Sequence, residues 1–198
     1  EGVFIKESNP AYKEALEKDY FCKRADGPYM KGKVWPGECN FPDYTNPVVR
    51  EWWAGLFKEL ISDIGVKGVW NDMNEPAVME VPNKTFPMDV RHDYDGNPCS
   101  HRKAHNIYGT QMARATYHGV KRFAYPKRPF VITRSAYSGA QRYSSSWTGD
   151  NVATWEHLWI ANIQMQRMSI SGMGFTGSDI GGFAEQPSGE LYARWIQL

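Results

Sequence analysis

Gly68-Val69-Trp70-Asn71-Asp72-Met73-Asn74-Glu75-Pro76 is the stretch on which the fold turns. A short apolar run, Ile64, Val66, Val69 and Trp70, closes on two acids three residues apart and then on a proline. Such a run reads as a buried strand that delivers side chains into a cleft at its C-terminal end. Pro76 and the residue before it leave the strand for a loop.

Outward from this stretch the pattern alternates between strands and helices, which argues for a parallel sheet. Upstream, Lys31 to Pro36 reads as the end of a short strand. Asn46-Pro47 opens a helix to about Asp63, with proline at its first position and an apolar stripe of Val49, Trp52, Trp53, Leu56, Phe57, Leu60 and Ile61. Gly65 ends it, and Val66 to Trp70 form the next strand. Residues 77–100, rich in Pro, Asn, Asp and Gly, are expected to form a long irregular loop, a length usually kept for lids or insertions. A helix over about 103–123 leads to a strand ending at Thr133. A short strand then ends at Trp147, a helix spans about 153–170, a strand ends near Ser178, and a final helix begins near Ser188.

Strand ends near 35, 70, 133, 147 and 178 all finish on polar or aromatic residues. Chemistry repeated at the C-terminal ends of βα units is the mark of a (β/α)8 TIM barrel. A doubly wound sheet would carry a Gly-rich nucleotide loop, and the sequence has none. At 198 residues the chain is short for a complete barrel of about 250. Residues 1–198 are therefore expected to be an internal piece of one catalytic domain, holding roughly five of the eight βα units and needing the rest of that domain as its partner. The exposed strand edges of a partial barrel make independent folding unexpected.

The net charge is +1 and no basic stripe is present, which argues against a nucleic-acid partner. No apolar stretch approaches the ~18–20 residues of a membrane span. Cys22, Cys39 and Cys99 lack metal-ligand spacing and read as reduced, incidental thiols. His101 and His105 stand four apart on a helix, a spacing that could hold a metal, but no third ligand suggests itself, so a packing or solvated role is expected. No metal or cofactor is expected. Eight tryptophans are unusual. Trp52, Trp53, Trp159 and Trp195 are expected to fill the core, whereas Trp35, Trp70 and Trp147 each lie beside a polar loop motif, where an indole can stack on a sugar face.

Glycoside hydrolysis with retention needs two carboxyl groups ~5–5.5 Å apart. Asp72 and Asp150 are the best pair, since each ends a strand just past a tryptophan. Asp150 also precedes a helix and could serve only as its N-cap, but the company of Asp72 and Asp179 weighs against that.

Trp70 to Pro76 resembles the nucleophile signature of glycoside hydrolase family 31, the α-glucosidase family. Val34-Trp35-Pro36-Gly37, Thr133-Arg134-Ser135 leading to Trp147-Thr148-Gly149-Asp150-Asn151, and Gly177 to Phe183 agree with that family in order and spacing. The resemblance covers essentially the whole chain. It implies that Asp72 is the nucleophile and Asp150 the general acid/base, with Glu75 a nearby acid that orients its neighbours and Arg134 a cation that binds a sugar hydroxyl and keeps the nucleophile ionised. Trp35, Trp70, Met73, Trp147 and Phe183 would wall the pocket, and Asp179 would lie in its floor as a structural acid. The implied activity is exo-acting hydrolysis of terminal α-linked glucose from oligosaccharides. Met73-Asn74 in place of the Phe-Gly of α-xylosidases points to glucose over xylose. An α-xylosidase, another α-glycosidase of the family or a transglucosylase using the same pair is the alternative within enzymes, and a non-catalytic carbohydrate-binding relative is the alternative outside them.

Overall fold

In a computed structural model, residues 2–198 are described. A short strand β1 (Val3–Phe4) precedes helix α1 (Pro10–Glu17), whose start is set by Pro10 and by Asn9, the side chain of which accepts from the Ala11 and Tyr12 amides. Strands β2 (Lys31–Val34) and β3 (Gly37–Asn40) form a hairpin around Trp35-Pro36, and β1 pairs with β3, so the three make an antiparallel sheet. Lys31 to Pro36 is therefore no barrel strand. The two-residue turn, with Gly37 at φ +123, sends the chain straight back instead of into a helix.

Helix α2 (Pro47–Gly55) is capped by Asn46, and the segment continues as a π-helical turn over Glu59–Asp63 that ends at Gly65, φ +84. The helix expected through Asp63 is thus present but widened in its second half. Strand β4 (Val69–Asn71) is followed by a long segment that contains the ribbon β5 (Arg91–His92) and β6 (Cys99–Ser100). Helix α3 (His101–Ala124), strand β7 (Val131–Thr133), strand β8 (Ser145–Trp147), helix α4 (Trp155–Ile170), strand β9 (Thr176–Gly177) and helix α5 (Gly189–Ile196) complete the order.

Strands β4, β7, β8 and β9 form one parallel sheet in that order, with Trp70 opposite Ile132, Thr133 opposite Ser146, and Trp147 opposite Gly177. Successive strands lie side by side in chain order, as in a singly wound barrel; a doubly wound sheet reverses its order at a switch point. The described residues supply four parallel strands, where the sequence suggested about five, and the difference is the β2–β3 hairpin. The short register leaves every C-terminal strand end on the same edge, at residues 71, 133, 147 and 177.

The core lies between this sheet, the hairpin sheet and α3. Ala104, Tyr108, Met112, Ala115 and Gly119 recur every three or four residues along α3 and are buried. Residues 77–100 are not a loose lid: Val78, Phe86 and Val90 are at most 1% exposed and pack with Phe41, Tyr44 and Tyr108. Trp52 and Trp195 are buried, as expected, and Trp53 packs partly buried among three clusters. Trp159 is the exception, at 66% exposed. Ala161 is the buried residue of α4 and packs toward Leu191 and Trp195 of α5, while Trp159, two residues away, lies on the far side of the helix.

Gly119 of α3 meets α2 backbone to backbone: a Cβ there would stand 2.5 Å from the Ala54 carbonyl oxygen and 3.0 Å from its Cα. Alanine gains ~1 kcal/mol in helix propensity, but overpacking against immobile backbone costs ~1–3 kcal/mol. Gly119→Ala is therefore expected to lower stability in chemical denaturation. A variant as stable as the parent would show that α2 shifts freely on α3.

Candidate active site

Each strand of the parallel sheet ends one residue or a few short of a chemically active side chain. Asn71 ends β4, and Asp72, Met73, Asn74 and Glu75 follow; Met73 turns the chain with φ +54. Thr133 ends β7 and Arg134 follows, its amide donating to the Asn71 carbonyl at 3.0 Å, which carries the pairing one residue past the strands. Trp147 ends β8 ahead of Asp150, and Gly177 ends β9 ahead of Asp179.

These ends open on one cavity of about 560 Å³, lined by Trp35, Trp70, Asp72, Met73, Arg134, Trp147, Asp150, Asp179 and Phe183 among others. Those nine were singled out from sequence. The tenth, Glu75, does not line the cavity and enters the site only through Arg134. Trp35 reaches it from the turn of the β2–β3 hairpin, and the rings of Trp70 and Trp147 meet edge to face, 5.7 Å between centroids. Trp35, Trp70 and Phe183 are 78, 59 and 65% exposed, so their faces are open for stacking.

Arg134 is the hub. Its Nε and Nη2 donate to the two carboxylate oxygens of Glu75 at 2.8 and 3.1 Å, a forked pair that fixes the guanidinium plane. Its Nη1 lies 3.2 Å from Asp72 Oδ1 and 3.6 Å from Asp150 Oδ2. The hydrogen bond to Glu75, opposed by burial and helped by the Asp72 and Asp150 charges, raises the pKa of Arg134, so it is cationic throughout. Because one nitrogen touches both, the two aspartate oxygens cannot be farther apart than the sum of those distances. That bound lies at the short end of the inverting range, ~6.5–9.5 Å, and leaves the retaining range of ~5–5.5 Å open.

Asp150 sits on a fastened loop. Thr148 Oγ1 donates to Asn151 Oδ1, the Phe183 and Ala184 amides donate to the Asn151 carbonyl, and His157 Nδ1 accepts from the Val152 amide at 3.0 Å. The Asp150 side chain is 52% exposed. The pKa of Asp179 is raised, first by burial and then by the charge of Asp150, while a hydrogen bond from Trp147 pulls it the other way. Its neighbour Ser178 accepts from the Trp195 indole at 2.8 Å, which ties this edge of the cavity to α5.

Sequence reasoning missed Phe130, Ile132, Ser145, Phe175 and Gly177, which also line the cavity. The signal was there: Phe130, Ile132 and Arg134 are alternate residues of one extended segment, as are Phe175, Gly177 and Asp179, so each set faces the barrel interior. It also missed Asn74, Thr133 and Ser135, which surround Arg134 from behind.

A second polar cluster lies away from the cavity. His92 Nδ1 is 3.1 Å from Asp43 Oδ1 and 3.8 Å from Cys22 Sγ, and these three ligand atoms lie within 4.8 Å of one another. Asp43 is already occupied, accepting from the Thr45 hydroxyl and amide and from the Asp93 amide. His92 Nε2 meets His101 Nδ1 at 2.8 Å. Burial first, then His92 and His105, lowers the His101 pKa to about 3, so this ring is neutral and packs against Phe86, the packing role expected of it. Cys22, Cys39 and Cys99 are free thiols. Among the described residues no helix is long and apolar enough to cross a membrane.

Comparison with known proteins agrees with this fold. The sequence model of the glycosyl hydrolases family 31 TIM-barrel domain matches residues 2–198. The chain is 48% identical over 189 residues to alpha-glucosidase 2 of Bacillus thermoamyloliquefaciens, covering 94% of this chain and 24% of that protein. It is 42% identical to human neutral alpha-glucosidase C, covering 94% of this chain and 20% of that protein. Among solved structures, the glucosidase II alpha subunit bound to alpha3-Glc2 superposes with a TM-score of 0.91 at 38% identity, over 99% of this chain and 21% of that one. The chain thus spans about a quarter or less of the length of these relatives.

Proposed function

The chain belongs to glycosyl hydrolase family 31, and from that premise we propose that it carries the catalytic centre of a retaining, exo-acting α-glucosidase. The observation that carries the reading is the shared contact of Asp72 and Asp150 with Arg134 Nη1, which brings the two acids together across one cavity at a spacing compatible with a double displacement. An Asp72 oxygen attacks the anomeric carbon of a terminal α-linked glucose. Asp150 gives its proton to the departing oxygen, and a glucosyl ester of Asp72 forms. Asp150, now ionised, takes a proton from water as that water attacks the same carbon, and the ester bond breaks to release glucose with its α configuration. No metal or cofactor enters this scheme.

Glu75 does not face the substrate in this reading; it fixes Arg134, and Arg134 presents its remaining nitrogen to both acids and to a sugar hydroxyl. Trp35, Trp70, Trp147 and Phe183 supply apolar faces for the ring, Met73 completes the wall, and Asp179 stands at the floor. Strands β4, β7, β8 and β9 supply four of the eight strands of a single catalytic barrel, with the rest of that domain as their partner. The names of the relatives at 48 and 42% identity favour glucose over xylose.

The substrate assignment is tested by comparing 4-nitrophenyl α-D-glucopyranoside with the corresponding α-D-xylopyranoside. The glucoside is expected to be favoured in kcat/KM by ~10–200-fold, the range for one carbon-sized group in a fitted pocket. Equal turnover, or a preference for the xyloside, would overturn the glucose assignment and leave the rest of the mechanism standing.

A further inference from the structure

We propose that Asn74 is the positioning residue that holds Arg134 at its three carboxylates, an inference that rests on the α-glucosidase reading for its kinetic consequence but not for its geometry. Asn74 is 1% exposed and never reaches the cavity. Its carboxamide is spent on the two residues that flank Arg134. Nδ2 donates to Thr133 Oγ1 at 2.8 Å, and Oδ1 accepts from the Ser135 amide at 3.1 Å. Thr133 Oγ1 in turn donates to the Ser135 carbonyl at 3.0 Å, so the amide, the hydroxyl and the backbone around Arg134 close into one network. The second Nδ2 contact, with the Gly109 carbonyl at 3.4 Å, fixes the same amide to α3.

The register of this network matters more than its strength. Asn74 lies between Asp72 and Glu75, so the loop that supplies two of the acids also grips the backbone of the cation they share. A shift of one loop carries the other with it. Helix α3 presses on both: a Cβ on Gly109 would stand 2.7 Å from the Asn74 carbonyl oxygen and 2.6 Å from Ser135 Cβ. An apolar side chain at 74 could fill the space but could not satisfy the Ser135 amide or orient the Thr133 hydroxyl, and a buried donor left unmet draws the backbone elsewhere. A displacement of about 1 Å in a catalytic group can cost ~100-fold in rate.

The test uses the protein expressed from its natural coding sequence. Asn74→Ala is expected to lower kcat/KM for 4-nitrophenyl α-D-glucopyranoside by ~10–100-fold, and to lower it by less than ~2-fold in an Arg134→Ala background, because a residue that acts through Arg134 has nothing left to position. Thr133→Val, which keeps the side-chain shape and so guards against a variant that merely misfolds, is expected to follow the same pattern, while Thr133→Ser keeps parental activity. Crystal structures of Asn74→Ala and Thr133→Val are expected to show the guanidinium out of its fork with Glu75. Equal losses in both backgrounds, no loss in either, or a guanidinium unmoved in both variants would overturn the proposal. If the parent turns over no α-glucoside, the functional reading fails, and the crystal structures still decide the role of Asn74.

Discussion

Asp72→Asn is expected to lower kcat on α-glucosides by about four to six powers of ten, the scale of losing a nucleophile. The amide has the shape of the carboxylate and can still accept from Arg134, but it cannot form the ester on which the double displacement depends. The fold should not notice. The Asp72 side chain is partly exposed, and Arg134 keeps its fork with Glu75. The variant is therefore expected to melt with the parent while its turnover vanishes, measured by steady-state kinetics beside thermal denaturation. A loss below ~1,000-fold, no more than removing a single stabilising donor usually costs, would mean that Asp72 is not the attacking group. Glu75, on the same loop, would become the acid to test.

Asp150→Ala should give a different signature, because an acid/base helps in proportion to how poor the leaving group is. On maltose, whose leaving sugar hydroxyl needs a proton, the loss is expected to be ~10²–10⁴-fold. On an activated aryl glucoside, formation of the ester should be much less affected, and its hydrolysis should become limiting for want of a base. Azide needs no base, so it should restore turnover and give the α-glucosyl azide, attacking from the face that the leaving group vacated. The exposure of the Asp150 carboxylate leaves the small ion a path. Equal losses on both substrates with no response to azide would remove Asp150 from the acid/base role.

The elements that carry this chemistry were legible because they repeat. The helices at 47–55, 101–124 and 155–170 show the three-to-four-residue spacing, and the strand ends at 71, 133, 147 and 177 stand just ahead of acids or an arginine. The barrel class follows from that alternation. What the sequence hid is local. Lys31–Val34 and Gly37–Asn40 are mostly Lys, Gly, Glu and Asn, weak strand formers, so nothing in the composition marked the second strand that makes this a hairpin and not the end of a barrel strand. Trp35 nevertheless lines the cavity, because the hairpin turn points there. Residues 77–100 have turn-rich composition, so nothing periodic marked Val78, Phe86 and Val90 as core. Trp159 misled for the opposite reason: a large apolar residue on a helix is expected inside, and only its angle relative to Ala161 says otherwise. Asn74 was hidden by distance, since its partners Thr133 and Ser135 lie 59 and 61 residues away along the chain.

The role of Glu75 shows the same division. The family resemblance placed it beside Asp72 as an orienting acid. Only the geometry says what it orients: a forked ion pair that leaves one nitrogen of Arg134 for both aspartates. That nitrogen keeps the two aspartates within reach of one sugar carbon, a spacing that admits retention, while the expectation of retention itself comes from the family resemblance.

The measurement that tests this most directly is the anomer released first. Proton NMR of 4-nitrophenyl α-D-glucopyranoside hydrolysis, in which all the glucose comes from the bond cleaved, should show α-glucose in the first minutes and before mutarotation, since two inversions at one carbon restore the starting configuration. β-Glucose appearing first would mean a single displacement by water and would contradict the covalent role of Asp72.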